Sequence, residues 1–174
     1  MPCVLIRRET PADIVAIAEI TTAAFSGRPG QEPPETALVA ALRGSPAWLP
    51  ALSLVATDLD GTVIGHVLAT RGHVGSRAAL ALAPLSVHPD RQRRGVGSAL
   101  MHAILGAADA LDEPLVALVG ARSYYERFGF RPSTDYTIEP PVAEWRPHFQ
   151  VRPLSAYQPT AQGTFTYPEP FDHL

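Results

Sequence analysis

Apolar positions along this chain switch between helical and alternating spacing, and each switch marks an element. Val4 to Arg8 reads as a first strand. Thr10-Pro11-Ala12-Asp13 then opens a helix, with Thr10 as N-cap and Pro11 in the first turn, where its missing N–H would be unpaired anyway. Ile14, Ile17, Ala18 and Thr21 continue it at helical spacing. Ser26 to Pro34 carries Gly and Pro and reads as a loop, and Glu35 to Arg43 as a second helix with Leu38, Val39 and Leu42 on one face. Leu52 to Thr57 and Thr62 to Thr70 are strand-like runs around the hairpin turn Asp58-Leu59-Asp60-Gly61. Ala79 to Val87 is a further apolar run interrupted by Pro84, a residue that belongs at a sheet edge or bulge or else breaks the strand. The clearest helix is Val96 to Leu111, whose Val96, Leu100, Ala103, Ile104, Ala107 and Leu111 form one stripe. Leu115 to Val119 reads as a buried strand, Arg122 to Phe128 as a short helix ended by Gly129, and Phe149 to Leu154 as a last strand. The tail after Ala156 is rich in Pro and Gly and is expected to wrap the surface.

This order predicts an α/β fold with a mixed central sheet: a hairpin meander, then a crossover through the long helix. The length suits one domain over residues 1–174, with a core of about 4–156 and a tail of 157–174. Composition narrows the picture. No apolar run reaches the roughly 18–20 residues that span a bilayer, and Val4-Leu5-Ile6 followed by Arg7 and Arg8 is too short and in the wrong order for a signal peptide. The single cysteine, Cys3, excludes an internal disulfide framework and a cysteine zinc site. A cytoplasmic protein with no membrane partner and no metal is expected. The net charge of −3 argues against nucleic-acid binding by bulk charge. The sequence contains no lysine, which reflects base composition before function and leaves the chain no lysine of its own to acetylate.

The segment from Val87 to Leu100 carries the candidate chemistry. Gln92-Arg93-Arg94-Gly95-Val96-Gly97 lies between a buried strand and the best helix. Gly95 and Gly97 permit close backbone approach, the helix start offers unpaired N–H groups and partial positive charge, and Arg91, Arg93 and Arg94 add cations. A phosphate or diphosphate is the natural ligand. A dinucleotide loop would need a third glycine where Leu100 stands. A nucleoside triphosphate loop would need a lysine. A glycine turn with solvated arginines is the bland alternative.

The pattern Gln-x-x-Gly-x-Gly after a strand resembles the pyrophosphate loop of the GNAT-type N-acetyltransferase superfamily. Leu115 to Phe130 is similar to its later motif, with Tyr124-Tyr125 and Gly129-Phe130 at the matching places. Ser53-Leu54-Val55-Ala56 and Val63-Ile64-Gly65-His66-Val67 resemble its central hairpin, so the likeness runs from about residue 4 to 132. The chain departs from the pattern at Leu118, where many members carry asparagine. It is similar to a bacterial subgroup of acetyltransferases whose substrates are mostly unknown.

The resemblance implies an acyl-CoA N-acyltransferase fold, with helices on both faces of the sheet, and an enzyme using acetyl-CoA as cosubstrate and no metal. It implies transfer of an acetyl group to a primary amine, on a small molecule or a peptide, by direct attack in a ternary complex. A non-catalytic acyl-CoA binding or sensing module is the alternative, and a homodimer is left open. The implied cofactor residues are Leu85, Ser86, Val87, Gln92, Arg93, Arg94, Gly95, Val96, Gly97, Ser98 and Tyr125. The oxyanion donor would be a backbone N–H near Ser86 or Val87, with Val87 preferred. Tyr125 would protonate the leaving thiolate, leaving Tyr124 as a packing residue. Glu32 and Glu35 would border the acceptor. His66, His73, Glu32 and Glu35 are candidates for the base, directly or through water.

Overall fold

The computed structural model describes residues 3–27 and 29–174. Arg28, inside the loop expected at Ser26 to Pro34, lies outside the described residues, as do Met1 and Pro2. The strands are β1 (Leu5–Arg8), β2 (Ser53–Thr57), β3 (Val63–Val74), β4 (Arg77–Val87), β5 (Leu115–Val119), β6 (Arg131–Pro132), β7 (Ile138–Glu139), β8 (Phe149–Pro153) and β9 (Gly163–Thr166). The α-helices are α1 (Ile14–Phe25), α2 (Pro34–Arg43), α3 (Val96–Ala110) and α4 (Arg122–Tyr125).

The sheet runs β1-β2-β3-β4-β5-β8-β6, with β9 against the far end of β3 and β7 beside β9. All neighbours are antiparallel except β4 with β5 and β7 with β9, so the sheet is mixed as expected. The parallel step is the crossover through α3. Strand alternation sends Leu54, Val67, Leu80, Val116 and Leu118 to one face, where they meet Val96, Leu100, Met101 and Ile104 of α3. The opposite face presents Val55, Leu68, Ala81, Leu115 and Ala117 to Ile17 of α1 and to Leu38, Val39 and Leu42 of α2. Helices therefore cover both faces. Leu118, at the position that departs from the family's asparagine, is a core residue on the α3 face, 1% exposed.

Local signals explain the helix starts. Thr10 and Asp13 close a capping box, and Arg7 braces it with an ion pair to Asp13 at 2.7 Å. The first turn after Thr10 is a 3-10 helix, Pro11–Asp13, before α1 proper.

The tail departs from expectation. It does not merely wrap the surface. β9 pairs with His73 and Val74 of β3, beyond the point where β2 ends. Phe165 is 0% exposed and Phe171 7%, both within the α1/α2-side core. Large aromatic side chains at alternating and capping positions supply an apolar area that outweighs the local Pro and Gly.

Candidate active site

The site forms where β4 and β5 part. β4 pairs with β5 only at Leu80–Val116 and Ala81–Ala117, yet its pairing with β3 continues to Val87. From Ala83 onward one edge of β4 is therefore free. Pro84 sits at a bulge, because Val67 faces Leu85 while Ala69 faces Leu82. A residue without an N–H suits the place where the ladder skips, and β4 runs on through it unbroken.

Bonded and non-bonded pairs alternate along an antiparallel ladder. His88 N–H donates to Ile64 O at 3.0 Å, so Ser86 also turns to β3, while Leu85 and Val87 turn away. In keeping with this, Val87 O accepts from Gln92 Nε2 at 3.1 Å. The N–H groups of Leu85 and Val87 thus face the side that β5 has vacated. Ser86 does not: its side chain is 0% exposed and its hydroxyl lies 3.4 Å from Thr21 Oγ1. Of the two amides expected as oxyanion donors, that of Val87 faces the vacated side and that of Ser86 faces β3.

The chain then turns into α3. Gly95, at φ 85°, takes the left-handed conformation just before the helix, and Arg93 does so at φ 58°. The bond from Ala99 N–H to Gly95 O, 2.9 Å, is the helix's opening one. The amides of Val96, Gly97 and Ser98 precede it and point out of the helix end with the positive end of its dipole. They open into a groove of about 660 Å³ bordered by Leu85, Val87, Gln92, Arg93, Gly97 and Arg127. Gln92 has a second role as the clasp on Val87. Val96 contributes backbone alone, since its side chain is in the core at 2% exposure. Arg94 is exposed and outside the groove lining, and Arg91 turns to Asp58 at 3.2 Å.

The two tyrosines divide the work differently from expectation. Tyr124 is not simply a packing residue. It lines the groove and lies under the Arg127 guanidinium at 4.6 Å. A Cβ on Gly97 would come within 2.8 Å of its hydroxyl. Tyr125 sits about 100° further round and reaches a second cavity, of about 460 Å³. It packs on the α3-side core yet shares this cavity with Leu38 and Phe171 of the opposite layer, so its ring occupies the gap between the strands. Burial, and then the neighbouring Tyr124, push its phenol up to about 12. The ring abuts Gly120, where even a Cβ would collide with it. Gly120 is itself fixed by His148 O at 3.0 Å and by Gln150 Nε2 at 3.0 Å. Phe25 and Leu85 line both the groove and the cavity, so the two adjoin along β4.

The four candidate bases separate cleanly. Glu35 lines the Tyr125 cavity. Glu32 is exposed and borders shallower pockets beside the loop Gly27–Pro34 instead. His73 lies at the other end of β3, exposed, opposite Ala78 and Thr166. His66 is 0% exposed, with Nε2 2.9 Å from Ser53 Oγ and Nδ1 unpartnered among the described residues. Desolvation lowers its pKa against the pull of Glu9. It is a neutral member of a buried network with Glu9, Ser53 and Arg43, not a base in reach of a substrate. Sequence reasoning missed Phe25, Gly120, Arg127, Trp145, Tyr167 and Phe171. None has a spacing signal; only the Gly120–Tyr125 pairing could have been suspected, from a glycine at a strand end just before the tyrosine helix.

Comparison with known proteins agrees with this geometry. Residues 50–132, from the approach to β2 through β6, match the family model for an acetyltransferase (GNAT) domain. An uncharacterized N-acetyltransferase of Escherichia coli, YjhQ, is 35% identical over 125 residues, covering 70% of this chain and 66% of the relative. A GNAT family acetyltransferase from Brucella melitensis, solved with acetyl-CoA, is 31% identical with a TM-score of 0.80 over 99% of this chain and 100% of its own. The GNAT family N-acetyltransferase YhbS of Escherichia coli, solved with CoA, superposes with a TM-score of 0.87 at 27% identity, covering 99% of this chain and 93% of its own. The chain belongs to the GNAT family of acetyl-CoA-dependent acyltransferases.

Proposed function

We propose that the protein transfers the acetyl group of acetyl-CoA to a primary amine by direct attack in a ternary complex. The observation that carries this is the groove at the amide-rich start of α3 adjoining, along β4, the cavity that Tyr125 lines. The cofactor's pyrophosphate sits on the amides of Val96, Gly97 and Ser98, with Arg93 and Arg127 as flanking cations. The pantetheine arm pairs with the free N–H and C=O groups of β4, adding a strand where β5 has turned away. The thioester then lies beside Val87 and Tyr125.

The neutral amine nitrogen attacks the thioester carbon. The carbonyl oxygen takes up negative charge, which the Val87 N–H stabilises. The C–S bond breaks, the amide forms, and the thiolate takes the proton of the Tyr125 hydroxyl. Glu35, directly or through water, takes the ammonium proton that frees the nitrogen to attack, and the proton the nitrogen loses as the amide forms passes to solvent, which restores the phenol. A free thiol has a pKa of about 8.5, far below that of the buried phenol, so proton transfer is useful only in concert with C–S cleavage. The short lifetime of the phenolate then matters more than its equilibrium population.

Titration calorimetry with acetyl-CoA, followed by release of free thiol with an amine panel, tests the reading. Binding that is lost in Gly95→Val, together with amine-dependent thiol release, is the expected result. Binding without release for any amine would reassign the chain as an acyl-CoA binding module, and normal binding by Gly95→Val would remove the pyrophosphate assignment.

A further inference from the structure

The cavity beyond Tyr125 carries information about the acceptor. Its outer wall is aromatic, built from Phe25 at the end of α1, Trp145, and Tyr167 and Phe171 of the tail, with Leu38 of α2 completing it. The wall is a connected stack: Trp145 meets Tyr167 edge-on at 5.8 Å, and Tyr167 meets Phe171 at 4.7 Å. It is also fixed in place, because β9 pins the tail to β3 and the 3-10 turn Glu169–His173 brings Phe171 into the core. Glu35 is the one charged side chain lining the cavity among the described residues.

We infer that the acceptor is a monocationic amine carried on a flat apolar body, an arylalkylamine in its chemistry. The inference rests on the transferase reading for the direction of attack and goes beyond it in naming the substrate class. Three physical points support it. Aromatic walls attract both a ring and an adjacent ammonium, the latter through the ring quadrupole. Glu35 matches one ammonium, and no second side-chain carboxylate in the lining, among the described residues, receives another cation. An acceptor with its own carboxylate would face Glu35 with no arginine in the lining to receive it, which disfavours amino acids and short peptides. The volume, about 460 Å³, falls in the range of small-ligand pockets and accommodates the acyl end together with a ring-sized acceptor.

The test uses the whole chain with acetyl-CoA and four amines: 2-phenylethylamine, ethanolamine, spermidine and glycylglycine. We expect kcat/KM for 2-phenylethylamine to exceed the others by about tenfold or more, since each apolar group accommodated is worth about 10–200-fold. Trp145→Ala should remove most of that preference, and Glu35→Gln should raise the KM for 2-phenylethylamine. An independent readout needs no turnover. With CoA bound, 2-phenylethylamine should quench intrinsic fluorescence, and Trp145→Phe should abolish the effect although Trp48 remains. Equal or better use of ethanolamine, spermidine or glycylglycine would overturn the inference and leave the transferase reading standing. Quenching that depends on Trp145 without acetylation of any amine would uphold the cavity's ligand class and sink the transferase reading. Absence of both quenching and preference overturns the inference.

Discussion

At the scale of single residues, the proposed mechanism turns on one phenol and on the glycine that its ring abuts. Tyr125 is held protonated by burial, its pKa raised from 10.0 to about 12. The acid form is the active one, and it persists as pH rises until that raised value is approached. The kcat profile should therefore show no falling limb from this group below about pH 11, and Tyr125→Phe should lower the single-turnover rate about 10²–10⁴-fold at every pH without changing the profile's shape. Stopped-flow measurement of thiol release from pH 6 to 10 checks both halves; a wild-type rate in Tyr125→Phe would leave solvent as the proton source. Gly120 makes the companion case. Its missing Cβ is what lets the Tyr125 ring lie where it does. Gly120→Ala must push the ring aside while the groove on α3 stays intact. The expected outcome is a fall in kcat of at least about tenfold, since misplacement of catalytic groups by 1 Å can cost about 10²-fold, with acetyl-CoA affinity by calorimetry within about threefold of wild type. Affinity lost in step with kcat would show that the glycine serves the fold and not the acid.

At the scale of elements, α3 shows how one helix serves both core and ligand. Its buried stripe of Val96, Leu100, Met101 and Ile104 anchors it, and its first turn faces the groove. Gly97 and Gly106 allow the two roles to be separated. Alanine at either should favour the helix by up to about 1 kcal/mol. At Gly106 the added carbon meets nothing within 4 Å, whereas at Gly97 it comes within 2.8 Å of the Tyr124 hydroxyl. Gly106→Ala should raise thermal stability slightly and bind acetyl-CoA normally; Gly97→Ala should weaken binding about tenfold or more, with partial recovery in the Gly97→Ala/Tyr124→Phe double variant. Equal binding by the two alanine variants would remove Gly97 from the groove's working surface. The same helix explains what could be read from the sequence. Stripes of apolar residues, the turn at Asp58–Gly61 and the glycines of the α3 start are local signals, so the main strands and helices, and the loop that leads into α3, were legible within a few residues. The division of labour between Tyr124 and Tyr125 was half legible, because helical spacing separates their directions without saying what each meets. Of the cavity beyond Tyr125, only Tyr125, Leu85 and Glu35 were legible. Glu32 and Glu35 are three residues apart, yet only Glu35 reaches it; His66 and His73, both on β3, differ wholly in depth and end of strand. Such differences arise from packing between residues far apart in sequence.

At the scale of the whole molecule, two long-range ties hold the layers in register. Glu9 links β1 to α2, β2 and β3 through Arg43 at 2.8 Å, the Ser53 hydroxyl and His66 at 3.4 Å. Burial alone would raise its pKa, but these partners hold it down to about 2, against 4.5 for a free carboxyl. Its contribution is therefore complete above about pH 4.5 and disappears as pH falls toward 2. Glu9→Gln should cost about 1.5–3 kcal/mol at pH 7, by denaturant titration, and the difference from wild type should shrink below pH 4.5. The second tie is the tail. Besides the short pairing of β9 with β3, the tail is held by its aromatic side chains. Phe165 is 0% exposed and stacks with Phe149 at 5.6 Å and Tyr167 at 4.8 Å. Its ring also fills the space over Gly72, where a Cβ would come within 2.7 Å of it. Removing such a ring leaves a cavity that rigid sheet neighbours cannot close, so Phe165→Ala should destabilise the fold by about 3–5 kcal/mol. The tail also supplies Tyr167 and Phe171 to the acceptor wall, whereas the α3 groove lies on elements the tail does not build. At a temperature where the variant is still folded, its acceptor KM should therefore rise while its acetyl-CoA affinity holds. Denaturant unfolding paired with calorimetry and steady-state kinetics measures all three quantities. A Phe165→Ala protein with wild-type stability would mean that the tail is an appendage after all, and equal losses of acceptor and acetyl-CoA binding would mean that the groove and the cavity are not mechanically separate.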